Sequence, residues 1–494
     1  MVPPFTNQHH PHWAAAQAIM SLLAVCLVQA VQADPVLDWT ALALDCIRED
    51  NTSPTLSTRN LAILHTAMHD AVNSITRTHQ PYRFQLDAPA GASAEAAAVA
   101  AACEVMIELY PSFDVWAVEL YGTWIAAAAH DSALTNGLSL GRAVAMQVLD
   151  SRRGDGASTE VPYIPSSEPG QWQRTWPFFR PPLTPHWRYV TPFCLSEIES
   201  FVPGPPPALD SPEYAAALNE VKAIGGKESP LRTPEQSQIA VFWSDFSYTA
   251  MPPGHWHEIA ASIARDRGNT LAESARLFAL LSLAQADAAI VCWEAKYRYN
   301  LWRPITAIQR ADEDGNPETE NDPAWDHYLV SPPFPAYVSG HSTFSKASAE
   351  VLTRCFGRDA ISFSARSDSL PGVQRSFQSL AACADEVGMS RIYGGIHFAF
   401  DDRAGKICGA KIGAYVAANF LLPNSLLPRL AIERQGANSS LRMQGHLGWA
   451  GVLEATSDLR TWQPLCTNLA VPGGCLVPIS GEMAQPARFF RVRE

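Results

Sequence analysis

The sequence predicts a mainly α-helical protein with a small β domain at its C-terminal end. Two observations carry this. From Asp34 to about Ser425 apolar residues recur at three- and four-residue spacing, and Ala-rich stretches such as "AEAAAVAAACEVMIELY" suit close helix packing. After Pro423 the texture changes to short β-type runs separated by Gly, Pro and Asn. Three units follow: residues 1–33 as an export signal, 34–425 as a helical domain and 430–494 as the β domain.

The elements can be justified in order. Ala18 to Val28, "AIMSLLAVCLV", is an apolar run of signal-peptide length, and "VQA" at Val31 to Ala33 offers small residues ahead of a cut before Asp34. The run is preceded by His9, His10 and His12, not by Lys or Arg. This reading makes the mature chain secreted or periplasmic. Ser57 to Ile75 has an N-cap-type start and a helical apolar face, and "VWAVELYGTWIAAAAH" repeats the signal. Val161 to Pro212, containing "PGQWQRTWPFFRPPLTPHW", is crowded with Pro and Trp and reads as a long ordered loop with a task. Helical patterns resume near Tyr214 and run through "LAESARLFALLSLAQADAAIVCWEAKYRYNLW". The tail carries "LEATSDLRTW" and "RFFRV", similar to a small β-sandwich appendage at the ends of secreted bacterial proteins.

Bulk properties narrow the function. A formal net charge of -13 excludes a nucleic-acid backbone as partner. No stretch reaches the roughly 20 consecutive apolar residues of a membrane span. Of ten cysteines, Cys26 would leave with the signal, so an odd number remains. Cys466 and Cys475 are the best disulfide candidates, and the other seven read as buried thiols. Homo-oligomerisation is left open.

Three segments carry chemistry. In "KYRYNLWRP", Lys296 and Arg303 are seven apart, about two helical turns, so both cations are expected on one face with Trp293. Apolar, aromatic flanks argue against a solvated basic face, and buried cations want an anion. In "PPFPAYVSGHSTFSKASAEVL", Ser339-Gly340-His341 opens a helix whose first amides suit an anion. In "SRIYGGIHFAFDD", Gly394-Gly395 would end one helix and turn the chain, letting Arg391 and His397 reach one site. Asp401, one turn beyond His397, could hold its imidazole in one tautomer. The alternating "HWH" at His255 to His257 opens an apparent helix and reads as structural.

Together, Lys-x6-Arg-Pro, Ser-Gly-His and Ser-Arg-x5-His-x3-Asp resemble the superfamily that joins vanadium-dependent haloperoxidases to phosphatidic-acid-phosphatase-type acid phosphatases. The resemblance covers most of residues 36–422. It implies a helix-bundle, vanadium haloperoxidase-like domain with vanadate as cofactor. Lys296, Arg303, Ser339, Gly340 and Arg391 would bind the oxyanion. His397 would ligate the metal and His341 would be the acid–base residue. Asp245 in "VFWSDFSY" would pair with Arg391, and Trp293 and Phe334 would line the halide pocket. Val338 stands where the family usually has Pro, which loosens the lead-in to Ser339. The implied reaction oxidises halide with hydrogen peroxide to hypohalous acid, with a small organic acceptor. Two alternatives stand beside it: an acid phosphatase in which His397 is the nucleophile, and a non-catalytic exported oxyanion-binding protein.

Overall fold

The computed structural model describes residues 34–424, 429–435, 438–444, 450–457, 460–469, 475–478 and 489–493. The expected export signal therefore lies outside the described residues. The helices run α1 Pro35–Glu49, α2 Pro54–Thr76, α3 Ala94–Leu109, α4 Asp114–Ala127, α5 Ser132–Ser151, α6 Pro212–Ile224 and α7 Pro234–Phe242. They continue with α8 Met251–Arg267, α9 Leu271–Tyr299, α10 Pro304–Gln309, α11 Gly340–Phe356, α12 Leu380–Tyr393 and α13 Ala399–Asn419. Starts are set locally. Asp34, Ser53 and Ser93 accept from the amides of Val36, Leu56 and Ala96, and Thr233 and Thr270 head reciprocal capping boxes with Gln236 and Glu273.

The helix α9 is the axis of the molecule. It packs on α2, which with α3 and α5 forms one bundle, and on α11 and α13, which form the second. It is long and apolar enough to cross a membrane, but its apolar window is 94% buried inside the protein, the mark of a core helix. Two helix carboxylates reach out of the bundles to fasten loops. Asp70 on α2 accepts from the amides of Tyr82, Arg83 and Phe84, and Asp287 on α9 accepts from those of Phe193, Cys194 and Leu195. The Asp287 clamp, with Arg188 bidentate on Glu294, pins the Pro/Trp-rich segment against α9. That segment contains short 3₁₀ turns at Pro185–Tyr189 and Glu199–Phe201.

In the second bundle, Gly405, Gly409 and Gly413 of α13 face α11. A Cβ at these positions would fall 2.7, 2.2 and 2.5 Å from the carbonyl oxygens of Ser339, Thr343 and Ala347. The backbones meet this closely only because side chains are missing there. The helical region closes at its end. Arg276 donates to the Leu421 carbonyl, the Gln80 amide to the Leu422 carbonyl and the Asn424 amide to the Thr78 carbonyl.

Strands are minor. A hairpin β1 Phe363–Arg366 and β2 Gln374–Phe377 interrupts the second half of the helical region. Beyond residue 428 lie β3 Arg429–Gln435, β4 Asn438–Gln444, β5 Ala450–Thr456, β6 Gln463–Leu469, β7 Cys475–Pro478 and β8 Phe489–Arg493. They pair antiparallel as two three-stranded sheets, ordered β3-β4-β7 and β6-β5-β8. The tail is β-rich as expected; its reading as a sandwich domain stays a proposal. Cys466 and Cys475 fall in β6 and β7, but their side chains lie outside the described residues. The other seven cysteines are free thiols, six of them buried and Cys355 partly so.

Candidate active site

The three motif segments converge on one cavity of about 490 Å³, and Trp293, Phe334, Gly340, His341, Arg391, His397 and Asp245 all line it. Local structure explains how. Lys296 and Arg303 do not share a helix face, contrary to expectation. Asn300 adopts a left-handed conformation with φ 51 and ends α9, and Arg303 is the extended residue before Pro304, which begins α10. The two cations nevertheless meet on the same stretch of chain. Arg303 Nε donates to the Phe334 carbonyl at 2.8 Å, while Lys296 Nζ donates to the carbonyls of Pro335, Ala336 and Val338 at 3.0, 3.1 and 2.5 Å. The lead-in to Ser339 is thus tied down at Val338 by Lys296, so the absence of Pro does not leave it loose. It also means that all three Lys296 protons are committed to backbone.

Ser339 is the N-cap of α11 and accepts from the Ser342 amide at 3.3 Å. Ser342 Oγ donates to Asp402 Oδ1 at 2.7 Å and lies 2.8 Å from Ser339 Oγ. Since Ser342 has given its proton to a carboxylate, Ser339 must donate in that contact or turn its proton to the cavity.

The glycine pair does what its sequence suggests. α12 ends at Tyr393, and Gly395 has φ 74. Its Cβ would fall 2.2 Å from the Gly225 carbonyl oxygen, so the turn is also a close crossing of two chains. His397 then sits just before α13. Its Nδ1 donates to Asp401 Oδ2 at 2.8 Å, leaving Nε2 as the acceptor, 3.1 Å from Arg303 Nη1.

Arg391 reaches across from α12 and donates through Nη1 to the Trp243 carbonyl at 2.7 Å. Among the described residues Arg391 makes no close ion pair with Asp245, but that carboxylate is near enough to act on its charge, so the expected pairing is electrostatic and not a direct hydrogen bond. Asp245 has φ 43, and its Oδ1 is 3.1 Å from His255 Nδ1. His341 Nε2 lies 3.9 Å from Asp245 Oδ2. The "HWH" motif divides accordingly. His257 is structural, bridging the Pro253 carbonyl and Ser282 at 2.8 Å each, whereas His255 stands behind the site.

Burial sets the electrostatics. It pulls Lys296, Arg303 and Arg391 below their ordinary ranges, the two guanidinium groups to about 9 and about 10. Burial and the nearby cations hold His397 well below 6.5, and burial with Arg391 does the same to His341. Among the described residues, Arg303 Nη2, Arg391 Nε and Nη2, and His341 Nε2 are buried without a hydrogen-bond partner. A buried donor left unpaired costs about 1–3 kcal/mol. Unpaired forked donors, an imidazole Nε2 held as acceptor beside Arg303 and a helix N-terminus fit a tetrahedral oxyanion. Trp293 and Phe334 form the dry wall, their ring centroids 5.1 Å apart and Lys296 Nζ 4.9 Å from the Phe334 ring.

Four contributors escaped the sequence reading. Asp402 supports Ser339 through Ser342, and its signal was the doubled "DD". The carbonyl of Trp243 holds Arg391, for which side-chain patterns carry no signal. Phe178 and Arg180 bring the Pro/Trp-rich segment to the cavity mouth.

Comparisons with known proteins point to the family that the three motifs resemble. The family model described as "VCPO second helical-bundle domain" matches residues 276–422. The vanadium chloroperoxidase of Curvularia inaequalis is 26% identical over 526 aligned positions, covering 81% of this chain and 82% of that protein. The crystal structure of the first bacterial vanadium-dependent iodoperoxidase superposes with a TM-score of 0.69 at 29% identity, over 79% of this chain and 97% of that one. A holo-type bacterial vanadium-dependent chloroperoxidase shares the fold, with a TM-score of 0.61 at 17% identity over 74% and 92% of the two chains.

Proposed function

Because the chain belongs to the superfamily that joins vanadium-dependent haloperoxidases to phosphatidic-acid-phosphatase-type acid phosphatases, we propose that it is an exported, vanadate-dependent haloperoxidase. It would oxidise halide with hydrogen peroxide to hypohalous acid, which halogenates a small organic acceptor. The observation that carries this reading is the set of buried, unpartnered donors of Arg303 and Arg391 beside His397, whose Nε2 is held as an acceptor facing Arg303 Nη1.

Each residue then has a role set by its surroundings. Asp401 fixes the tautomer of His397, so that Nε2 would be the metal ligand. Arg303, Arg391, the Ser339 hydroxyl and the Gly340 amide would hold the oxyanion. Lys296 acts by charge while its protons remain on the three carbonyls; a direct bond to the oxyanion requires it to give up one of them. His341, kept neutral by burial and Arg391, takes or gives a proton at Nε2. Asp245 faces that nitrogen. Trp293 and Phe334 exclude water where halide would enter. Vanadate, when bound there, would supply Lewis-acid activation of peroxide without a change in its oxidation state.

The test is metal analysis of protein incubated with orthovanadate, paired with bromide-plus-peroxide halogenation. Retention of about one vanadium per chain with halogenation supports the reading. Hydrolysis of nitrophenyl phosphate, without halogenation by the vanadate-loaded protein, moves the chain to the phosphatase branch. Vanadium retention with neither activity leaves an oxyanion-binding protein.

A further inference from the structure

His255 belongs to a motif that sequence reading set aside, and it lies on the hidden side of the site. Its ring is buried, against Trp243 with centroids 4.5 Å apart. Its Nδ1, 3.1 Å from Oδ1, makes the one hydrogen bond to the Asp245 carboxylate among the described residues. The other oxygen, Oδ2, faces His341 Nε2 at 3.9 Å. Asp245 is thus a buried carboxylate suspended between two imidazoles. A buried carboxylate stripped of its only hydrogen bond turns to another donor or takes up a proton. The donors near it would be His341 and Arg391, both part of the site.

We propose that His255 is a positioning residue for the acid–base step: it anchors one oxygen of Asp245 and thereby sets how the other meets His341. The inference rests on the reading of His341 as the acid–base group. The far side of His255 supports it. Nε2 has no partner among the described residues, and the ring forms the wall of a second cavity of about 730 Å³ that Arg48, Glu258 and Arg265 also line. Arg48 from α1 gathers Glu258 and Asp368 behind the ring. Burial opposes charge on His255, but Asp245, then Glu258 and Asp368, outweigh it and raise the ring above 6.5. The contact with Asp245 is therefore an ion pair once the ring is protonated.

Two variants separate positioning from mere packing. His255→Phe should lower kcat for bromide oxidation about 10- to 100-fold, as loss of a supporting partner does, with vanadate affinity little changed. His255→Gln, which keeps a polar group towards Asp245, should recover part of that loss. Combining His255→Phe with Asp245→Asn should cost no more than Asp245→Asn alone, because both act through one path. A readout independent of turnover is the ring-nitrogen NMR of His341 in vanadate-free, ¹⁵N-histidine-labelled protein. His255→Gln should displace those signals, while His79→Gln should not. Additive losses, or unmoved His341 signals in His255→Gln, overturn the inference. If the wild type hydrolyses phosphate esters and does not oxidise halide, the haloperoxidase reading falls, and the same variants are measured on ester hydrolysis with the NMR result standing on its own.

Discussion

His397 is oriented before any ligand arrives, because Asp401 is one helical turn on and accepts its Nδ1 proton at 2.8 Å. Removing the ring removes the only protein–metal bond we assign. His397→Ala should abolish vanadium retention on gel filtration while the cationic cradle stays intact. His341→Ala should retain vanadium, more weakly, and lose about 10²–10⁴-fold in halogenation rate, the usual worth of a positioned acid–base group. Asp401→Asn should weaken vanadate binding about 10- to 100-fold by leaving the tautomer unset. Vanadate titration of each variant checks these outcomes. An Asp401→Asn protein with wild-type affinity would show that Arg303, 3.1 Å from Nε2, orients the ring by itself.

At the scale of elements, the site depends on how closely α11 and α13 approach. α11 carries Ser339, Gly340 and His341 at its start, and α13 follows His397, so their separation sets the width of the cradle. A side chain at Gly409 would place Cβ 2.2 Å from the Thr343 carbonyl oxygen, a backbone atom that cannot step aside. Gly409→Val should cost at least about 1–3 kcal/mol, the typical price of overpacking, and weaken vanadate binding along with stability. The loop clamps are a second device of this scale. Asp287→Ala would leave the amides of Phe193, Cys194 and Leu195 buried and unpaired, at about 1–3 kcal/mol for each one that finds no water. A lower denaturant midpoint and easier proteolysis within residues 161–212 are expected together.

For the molecule as a whole, buried histidines govern acid stability. His65, His69, His79, His257, His327, His341 and His397 are all held below 6.5, chiefly by burial, with His69, His79 and His257 at about 4. Their folded pKa lies below the unfolded one, so their contribution is full above 6.5 and is lost as pH falls towards 4. Burial also raises carboxylates, Asp70 and Asp287 to about 6 and Asp401 to about 7, with Asp34, Asp38, Glu220 and Glu258 raised less, and these work in the opposite sense as pH falls. More histidines than carboxylates carry the large shifts, so the melting temperature should fall between pH 7 and pH 4.5; a rise would show that the carboxylates prevail. We also propose that the helical unit ends near Asn424, where the chain is tied back to Arg77 and Thr78. A chain stopped after Asn424 should fold and still retain vanadate, since every cavity-lining residue precedes it.

What the amino-acid order determined by itself was local. Helix starts follow from Ser, Thr, Asp and Pro at the caps. The glycine turn before His397 and the His397–Asp401 pair follow from spacing along one stretch of chain. The three motifs are each readable within a dozen residues or so, and together they resemble one superfamily. The tertiary structure decided what no spacing encodes. It broke the helix between Lys296 and Arg303, yet brought both onto the carbonyls of Phe334 to Val338. It hydrogen-bonded Asp245 to His255 and Arg391 to a backbone carbonyl. It let Gly405, Gly409 and Gly413 set the distance between α11 and α13. Periodicity and capping involve atoms a few residues apart, so sequence neighbours specify them. Which buried donor meets which acceptor across 40 or 150 residues depends on how the helices pack, and that is fixed only when the core is closed.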